Sequence, residues 1–486
     1  TLTLLAPASG ACALVRAARD SDYRCTSFSR PVPPYLLPHG RIPYPMPVEE
    51  DVLKRVKPTK AEDAKVMSAV KALEAKVSRE ARRADAHVEL MLVGSVAKGT
   101  HLTDPDIDLF MLFPESTEPE VLKEKGLAIG KAVLGGREHY AQHPYVRGEF
   151  KGFQVDLVPC FKVRDTRKKM SAVDRTPFHT RYVKENLGRG KADQVRLLKR
   201  FMKGVGCYGA EAKVQGFSGY LCELLVMRFG GFREVLEAAS AWKRGEHIEL
   251  EGHEGKEFRE PLTFIDPVDS SRNVASAVSV ETLLLFIRAS REYLRSPSEA
   301  FFFPPERPAW PPAKVREAAG PRLDNLVSMS FPRIDLIDDV VYPQLRKSLV
   351  AAVALLERNE FEVERTSVHV DGLAHLLIEV ASARLPHERV HRGPPEKSEN
   401  AREFLAKWKT RGLSPPYVER GRWYVVAKRE FPVAGDLLRE GLRGLSLGKD
   451  VKKVGEIEVL TGPEMLSEEH LEARTNHFDE RTPWER

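Results

Sequence analysis

Three aspartates within strongly apolar segments constrain this chain more than any other feature of its sequence. Residues 106–113 read DIDLFMLF and residues 153–158 read FQVDLV, and both runs have the length and composition of buried β-strands. Asp106 and Asp108 are two residues apart, so their side chains project from one face of a strand. A carboxylate among apolar neighbours, such as Asp156, is costly unless it is paired or binds a cation.

A divalent cation is the favoured partner for these carboxylates. The chain places no cationic side chain close to them in sequence, and three converging carboxylates would repel each other. Hard cations with oxygen ligands relieve that repulsion, and Mg²⁺ is the natural candidate. We therefore predict that Asp106, Asp108 and Asp156 are metal ligands. An isolated Asp-x-Asp pair is also common in solvated turns, so the pair does not establish the site by itself.

A glycine–serine turn precedes the Asp-x-Asp pair. Residues 88–93 (VELMLV) are predicted as a buried strand that ends at Gly94 and Ser95, ahead of a predicted helix start. Backbone N–H groups at such a turn and the Ser95 hydroxyl can bind a phosphate. Lys98 adds a positive charge about one helical turn later. This order of elements predicts one site that holds both a phosphate and a metal.

The length of the chain and its changes in composition predict several domains. At roughly 100–200 residues per domain, 486 residues correspond to three or four domains. Residues 1–45 contain no Lys and no Glu and are predicted to be a disordered extension. We expect a mixed α/β domain over residues 46–190, a helical central domain over 191–300, and an α+β region over 301–486 that follows a proline cluster.

Local patterns predict individual elements of these domains. Thr59 and Glu62 form a capping-box pattern ahead of an apolar helical face, and we expect this helix to open the folded protein. Further helices are predicted over about 118–133, in the segment 191–229 and over 337–357. An Asp371-Gly372 turn predicts a β-hairpin, and residues 422–427 are a further strand candidate.

Composition limits the classes of function. Lys and Arg total 76 against 70 Asp and Glu, a formal net charge of +6, which permits a polyanionic partner without requiring one. The five cysteines form no CxxC pair and no Cys/His spacing typical of zinc, which favours reduced thiols in a cytoplasmic protein. No apolar run approaches the ~20 residues of a membrane span, so no membrane association is predicted.

Several longer motifs show a family resemblance. In order, the chain contains GSVAKGTHL, DIDLFMLF, HPYVRGEFKGFQVDLVPC, SAVDRTPFHTRYV, VRLLKRFMKGVGCYGAE, GFSGYLCELL and FIDPVDSSRNVA. The core pattern resembles the nucleotidyltransferase superfamily that includes DNA polymerase β, and the whole set resembles the archaeal class I CCA-adding enzymes. The similarity runs from about Met46 to at least Ala275 and continues in YPQLRKSL and GRWYVV.

The resemblance implies a fold and a reaction. The fold would be α+β and multidomain: a polymerase-β-like nucleotidyltransferase domain with a mixed sheet, a helical central domain and α+β C-terminal RNA-binding domains. The reaction would be template-independent addition and repair of the 3′-terminal CCA of tRNA from CTP and ATP, by two-metal phosphoryl transfer with two Mg²⁺ ions. The family's metal ligands match Asp106, where many archaeal members have Glu, Asp108 and Asp156. Asp104 is not preferred, because only Asp106 and Asp108 frame the apolar residues of the strand.

The resemblance also implies contacts to the nucleotide. The residues that match the family's nucleotide site are Gly94, Ser95, Lys98, His179, Lys199, Tyr208 and Arg272. Arg272 matches the arginine that reads the incoming base and its phosphates. Simpler roles stay open for four of these residues. They are a helix cap for His179, a solvated charge for Lys199, a packing residue for Tyr208, and a surface salt bridge at the start of a helix for Arg272.

The tRNA partner is less visible in the sequence. Basic and aromatic residues in the C-terminal half are candidates for contacts to an acceptor-arm helix, recognised by shape and backbone charge. These candidates are Arg346, Lys347, Lys407, Trp408, Lys409, Arg411, Arg420 and Trp423. An ordinary charged surface is the alternative. The resemblance also implies a homodimer, which no pattern in the chain locates.

Three other functions share part of this pattern. A poly(A) polymerase or an oligoadenylate synthetase-like enzyme has the same Gly-Ser and Asp-x-Asp core. A small-molecule nucleotidyltransferase would not need the residues after Phe301. A catalytically silent RNA-binding protein would not need to keep all three carboxylates.

Overall fold

The computed structural model describes residues 47–486 apart from 141–143, 166–170, 172, 251 and 253–255. The extension predicted over residues 1–45 lies outside the described residues. The chain divides into two compact units. The N-terminal unit extends to Arg307 and also includes Ile337–Val340 and Arg481–Arg486, and the C-terminal unit comprises Pro308–Leu336 and Val341–Glu480.

The N-terminal unit contains nine α-helices and eight strands among its described residues. The helices are α1 (Pro47–Val56), α2 (Lys60–Arg83), α3 (Gly94–Lys98), α4 (Pro119–Leu134), α5 (Thr176–Asn186), α6 (Lys191–Val205), α7 (Gly219–Phe229), α8 (Phe232–Ser240) and α9 (Val280–Arg295). The strands are β1 (Glu89–Val93), β2 (Ile107–Phe113), β3 (Arg137–Tyr140), β4 (Pro144–Phe150), β5 (Phe153–Phe161), β6 (Glu246–Ile248), β7 (Leu262–Asp266) and β8 (Asp269–Asn273).

The predicted capping box is confirmed, but it does not open the fold. The Thr59 side chain accepts a hydrogen bond from the Glu62 amide, and the Glu62 carboxylate accepts one from the Thr59 amide, which fixes the start of α2. One further helix, α1, lies ahead of it. Val52 and Val56 of α1 are buried in the core that surrounds α6, so the expectation that α2 is the first helix is wrong.

A five-stranded mixed sheet forms the core of the first domain. Its strand order is β1-β2-β5-β4-β3, with β2 and β5 parallel and the other pairs antiparallel. Helices α2 and α4 pack their apolar faces on it, because residues such as Leu73 and Ile129 are fully buried with the strand residues Leu109 and Leu157. The sequence predicts β1, β2 and β5 but not the antiparallel pair β3 and β4.

The central region is helical with a small sheet added. Phe201 of α6 lies at the centre of helices α6 to α9. It contacts the rings of Phe232 on α8 and of Phe286 and Tyr293 on α9. Each such buried aromatic side chain contributes about 1.5–3 kcal/mol by leaving water. Strands β6, β7 and β8 form a three-stranded sheet beside these helices. The prediction of a helical central domain did not include this sheet.

The C-terminal unit combines two antiparallel sheets with five helices among its described residues. The helices are α10 (Pro312–Ala319), α11 (Asp338–Arg358), α12 (Asn400–Arg411), α13 (Ala434–Gly441) and α14 (Leu471–Phe478). The strands are β9 (Leu326–Pro332), β10 (Val363–Val370), β11 (Leu373–Val380), β12 (Glu388–Pro395), β13 (Tyr417–Glu419), β14 (Arg422–Lys428) and β15 (Glu458–Thr461). The sheet orders are β10-β11-β9-β15 and β12-β14-β13.

The α+β character expected of this region is therefore confirmed. The Asp371-Gly372 hairpin turn is present between β10 and β11, where the Asp371 side chain accepts a hydrogen bond from the Leu373 amide. Within the described part of the chain, no helix combines the length and apolarity that a membrane span requires.

Candidate active site

The three carboxylates meet because of the register between β2 and β5. Asp108 on β2 lies directly opposite Asp156 on β5, and on its other side it pairs with Val93, the last residue of β1. Asp106 lies just before β2, two residues from Asp108 and on the same face. The sheet thus places all three side chains at one edge, where β1 ends in a turn.

Burial and mutual repulsion make the charged forms of two carboxylates costly. Burial, followed by the negative charges of Asp156 and Asp106, raises the pKa of Asp108 to about 7. Burial raises the pKa of Asp156 to about 6, although the positive charge of Arg147 opposes it. Oδ1 of Asp156 is buried and has no hydrogen-bond partner in the described chain. These oxygen donors suit a hard divalent cation, which would relieve the repulsion.

Arg147 is a cationic partner that the sequence argument did not anticipate. It lies on β4 opposite Asp156, and its Nη2 donates a 2.9 Å hydrogen bond to Oδ2 of Asp106. Its Nε is 3.6 Å from Oδ1 of Asp156. The pairing of β4 with β5 brings Arg147 to Asp106, which lies 41 positions earlier in the chain, so the carboxylates have a cationic partner that proximity in sequence did not show. Arg147 neutralises only part of the charge of three carboxylates.

Gly94 allows the turn after β1 to approach Asp108. Its φ is +69°, and a Cβ placed on it would lie 1.9 Å from Oδ2 of Asp108. Only glycine therefore fits here without displacing the carboxylate. The turn leads into α3, a single helical turn that carries Ser95 and Lys98.

Replacing Gly94 with alanine is expected to abolish activity, because the new methyl group must push Asp108 out of position. A displacement of about 1 Å in a catalytic group costs about 100-fold in rate. Gly99→Ala is the matched control: Gly99 has a similar φ of +67°, but a Cβ there meets nothing within 4 Å. Turnover and unfolding midpoint should be measured for both variants. Equal losses of activity would mean that backbone strain, not contact with Asp108, is the cause.

A buried carboxylate holds the two lysines of the site. Nζ of Lys98 donates to one oxygen of Glu223 at 2.8 Å, and Nζ of Lys199 donates to the other at 3.1 Å. The Thr100 hydroxyl donates to Glu223 at 2.6 Å and accepts a 3.0 Å hydrogen bond from Lys199. Burial alone would raise the pKa of Glu223, but the charges of Lys199 and Lys98 and these hydrogen bonds lower it to about 2.

A cavity of about 360 Å³ lies between these lysines and the carboxylates. Most of the predicted nucleotide-site residues line it, together with two of the three aspartates. Its lining includes Gly94, Ser95, Lys98, Asp106, Asp108, Lys199 and Tyr208. Lys199 is buried rather than solvated, and burial raises the pKa of the Tyr208 hydroxyl. Cationic groups and a hydroxyl therefore share a cavity of ligand size with two of the carboxylates.

His179 and Arg272 are not among the residues that line this cavity. Both are hydrogen-bonded to a second buried carboxylate, Asp266. Oδ2 of Asp266 accepts hydrogen bonds from His179 Nε2 and Arg272 Nη1, both at 2.9 Å. Tyr220, which lines the cavity, donates to Oδ1 of Asp266 at 3.2 Å and stacks on His179 with ring centroids 4.0 Å apart. Asp266 thus links the predicted base-reading arginine to the cavity wall. Arg272 lies on β8, not at the start of a helix.

A second cavity, of about 870 Å³, adjoins the carboxylates. Gly94 and Asp108 line both cavities, and Asp156 and Tyr145 line the second. Asp108 therefore lies in the walls of two cavities.

Comparisons with known proteins match this arrangement along most of the chain. A model of the nucleotidyltransferase domain matches residues 74–179, one of the second domain of tRNA nucleotidyltransferase matches 193–303, and one of the C-terminal domain of the CCA-adding enzyme matches 322–462. The CCA-adding enzyme of Methanosarcina acetivorans is 41% identical over 413 residues, which cover 82% of this chain and 90% of that protein. This chain belongs to the CCA-adding enzyme family. The enzyme of Thermoplasma volcanium is also 41% identical, over 83% of this chain and 90% of that protein.

A solved structure of the Cid1 poly(U) polymerase is also similar to this chain, at a lower sequence identity than the relatives above. It covers 52% of this chain and 96% of its own, with 18% sequence identity and a TM-score of 0.41.

Glu223 and Asp266 were not identified from the sequence, although both show the pattern that identified Asp156. Each is a carboxylate within an apolar run, CELLVM on α7 and LTFID on β7. A charge in such a run requires a buried partner. The sequence shows that a partner must exist, but only the packing of α7 against α3 and α6 identifies the lysines.

The residues predicted to contact tRNA lie on several elements of the C-terminal unit. Lys407, Lys409 and Arg411 are exposed on α12. Trp408 instead packs against the His391 ring, with centroids 4.6 Å apart, and Trp423 is half-buried on β14. The remaining members are Arg346 and Lys347 on α11 and Arg420 in the turn before β14. The two tryptophans of this family member therefore contribute to packing.

Proposed function

We propose that this protein adds cytidine, cytidine and adenosine to the 3′ end of tRNA from CTP and ATP and releases pyrophosphate. One observation supports it most: Asp108 lines two cavities, one of nucleotide size that carries two lysines and a larger one that Asp156 also lines. A nucleoside triphosphate in the first and an RNA end in the second would react across Asp108. Membership of the CCA-adding enzyme family supports tRNA as that RNA.

Mg²⁺ is the cofactor that we propose for the carboxylates. Asp106 and Asp108 would hold two ions and Asp156 one of them. The raised pKa of Asp108 supports this set, and so does Oδ1 of Asp156, which is buried and accepts no hydrogen bond in the described chain. When bound, such a pair lowers the pKa of the attacking 3′-hydroxyl and stabilises the charge on the leaving pyrophosphate. Asp156 would also accept the hydroxyl proton.

The residues around the first cavity would position the triphosphate. The Ser95 hydroxyl and the backbone N–H groups after Gly94 face its phosphates, and Lys98 and Lys199 supply two positive charges that Glu223 keeps fixed. Tyr208 and His179 complete the proposed set. Holding the α-phosphorus in line with the attacking oxygen accounts for most of the expected catalysis, since phosphoryl transfer depends on positioning and charge stabilisation.

The tRNA-binding surface that we propose is the exposed basic edge of α12 with Arg420. Such a surface would follow RNA phosphates without reading the sequence. We further propose that the protein acts in the cytoplasm, which the free buried thiols of Cys160, Cys207 and Cys222 support. The homodimer implied by the family resemblance stays a prediction.

Incubating the purified protein with Mg²⁺ and tRNA that lacks its CCA end tests the proposed function. CTP alone, ATP alone and both together should be supplied, and the products resolved to single nucleotides. Two additions with CTP and a third only when ATP is also present are expected. A long ladder with ATP alone would instead identify a poly(A) polymerase, and tight tRNA binding with no extension would identify a silent RNA-binding protein.

Replacing Arg272 with alanine is expected to change the preference between CTP and ATP by about tenfold, because a guanidinium that hydrogen-bonds a base edge contributes about 1–3 kcal/mol of discrimination. Binding of the triphosphate itself should change less. Arg175→Ala is the matched control, since Arg175 pairs with Asp269 on the same strand at 3.3 Å. The ratio of kcat/KM for the two nucleotides is the measurement. An unchanged ratio in Arg272→Ala would reject the base-reading role.

A further inference from the structure

A cluster of imidazoles and carboxylates lies in the C-terminal unit, apart from the carboxylates of the proposed active site. His369 on β10 and His375 on β11 lie opposite each other across the hairpin, with ring centroids 6.2 Å apart. Asp371 occupies the turn of that hairpin, and Glu472 lies in the first turn of α14. Four groups that commonly bind metals therefore come from one hairpin and one helix of the same unit.

The separations among His369, Asp371 and Glu472 match the spacing of ligands around one metal ion. Nε2 of His369 is 3.2 Å from Oδ2 of Asp371 and 3.6 Å from Oε1 of Glu472. One ligand atom from each of the three residues lies within 4.8 Å of the other two. A metal about 2.1 Å from each of four tetrahedral ligands sets those ligands about 3.4 Å apart.

A buried imidazole directed at the cluster provides an independent observation. His375 is fully buried, and its Nδ1 is hydrogen-bonded to the Ser330 hydroxyl at 2.9 Å. Its other ring nitrogen, Nε2, is buried without a hydrogen-bond partner in the described chain and lies 3.8 Å from Oδ1 of Asp371. A hydrogen bond of this kind to one ring nitrogen fixes the ring and leaves the opposite nitrogen available as a ligand.

We propose that His369, Asp371, His375 and Glu472 form a binding site for a divalent transition-metal ion such as Zn²⁺. Two imidazole nitrogens and two carboxylate oxygens suit Zn²⁺ better than Mg²⁺, which prefers oxygen ligands alone. Glu472 is more than half exposed, so the ion can enter from solvent on that side. The bound ion would join the β10–β11 hairpin to α14 and stabilise the C-terminal unit.

Arg474 raises the alternative of an anion at this position. It is fully buried, and its guanidinium nitrogens have no hydrogen-bond partner in the part of the chain that the structure describes. Two carboxylates, Asp371 and Glu472, would repel an anion from the space between the imidazoles. These two negative charges and the positive charge of Arg474 sum to −1, and this net negative charge favours a metal ion over an anion.

Zinc binding by the full-length protein tests this site. The protein is first stripped with EDTA and then dialysed against limiting Zn²⁺ in excess Mg²⁺, which occupies the all-oxygen catalytic carboxylates. Bound zinc is measured by mass spectrometry and the unfolding midpoint by calorimetry. About one Zn²⁺ per chain and a higher midpoint with zinc than without are expected, because a ligand that binds only the folded state stabilises it.

Variants of the two accessible ligands make the test specific. His369→Gln and Glu472→Gln should each lower zinc affinity at least tenfold and remove the zinc-dependent rise in midpoint, as loss of a ligand does. His387→Gln and Glu468→Gln, both exposed, are the matched controls and should bind zinc as the unmodified chain does. His375 is buried, so His375→Gln is informative only if its circular dichroism spectrum is unchanged.

Two results would overturn the metal site. Equal zinc affinity in His369→Gln and in the controls would place the zinc elsewhere. A midpoint raised by phosphate or sulfate but not by zinc, and lost in Arg474→Gln, would identify an anion site instead. CCA addition is measured separately and should be unchanged in His369→Gln, so failure of the metal site and failure of the proposed function are distinguishable.

Discussion

Replacing Asp108 with asparagine is expected to abolish addition of both CMP and AMP, with a fall in kcat of about 10³-fold or more. The amide is nearly isosteric with the carboxylate, but it removes one of the two charges that would hold both metal ions. A loss of several kcal/mol of transition-state stabilisation corresponds to that factor. Single-turnover extension of tRNA with CTP and with ATP is the measurement, alongside a filter-binding assay for tRNA.

Asp104→Asn is the matched control for Asp108→Asn. Asp104 lies four residues earlier and lines the same cavity, but it is not one of the three converging carboxylates. Its positive φ of 55° is one that asparagine also adopts readily, so the variant should fold and extend tRNA at close to the normal rate. Normal extension of tRNA by Asp108→Asn would show that the ligands are misassigned. If Asp104→Asn also lost extension, Asp104 would be the ligand instead. Both variants should keep their affinity for tRNA.

The carboxylates of the site could be predicted from sequence because each is a charged residue in or beside a strongly apolar segment. A charge within an apolar strand implies a partner, and the spacing of Asp106 and Asp108 fixes their common face. The identity of the partner could not be predicted in the same way. Arg147 reaches Asp106 only through the pairing of β4 with β5, and residues 137–150 lack the alternation that would have marked those strands.

The same limit applies to the nucleotide cavity. The family resemblance pointed to Lys98 and Lys199 as phosphate contacts, and the structure places both on the cavity. Their shared hydrogen bonds to Glu223 join residues that are 125 and 24 positions apart, a relation that no local pattern contains. Fold class was predictable for a different reason, since it depends on the type and order of elements. The positions of partners depend on register and helix packing, which the chain does not show locally.

Glu223→Ala is expected to cost about 3–5 kcal/mol in the free energy of unfolding and to abolish nucleotide binding. The substitution leaves Lys98 and Lys199 as buried cations without their counter-charge, and breaking a buried ion pair from one side has a cost of this size. Glu223→Gln keeps the shape and the hydrogen bond to Thr100, so its loss should be smaller. Urea unfolding followed by circular dichroism, with each transition fitted separately, measures the cost.

The pH dependence of stability identifies the charge as the cause. The pKa of Glu223 falls from 4.5 to about 2 on folding, so its contribution is complete above pH 4.5 and is lost as the pH falls from 4.5 towards 2. The difference in unfolding free energy between the unmodified chain and Glu223→Gln should therefore be constant from pH 7 to about 5 and shrink below that. Glu185→Ala, an exposed carboxylate on α5, is the control and should change stability by less than about 0.5 kcal/mol at every pH. A difference that does not vary with pH would mean that Glu223 acts through packing and hydrogen bonding alone. In that case the two lysines would be held by Thr100 and the surrounding backbone, and Glu223→Gln would bind ATP as tightly as the unmodified chain.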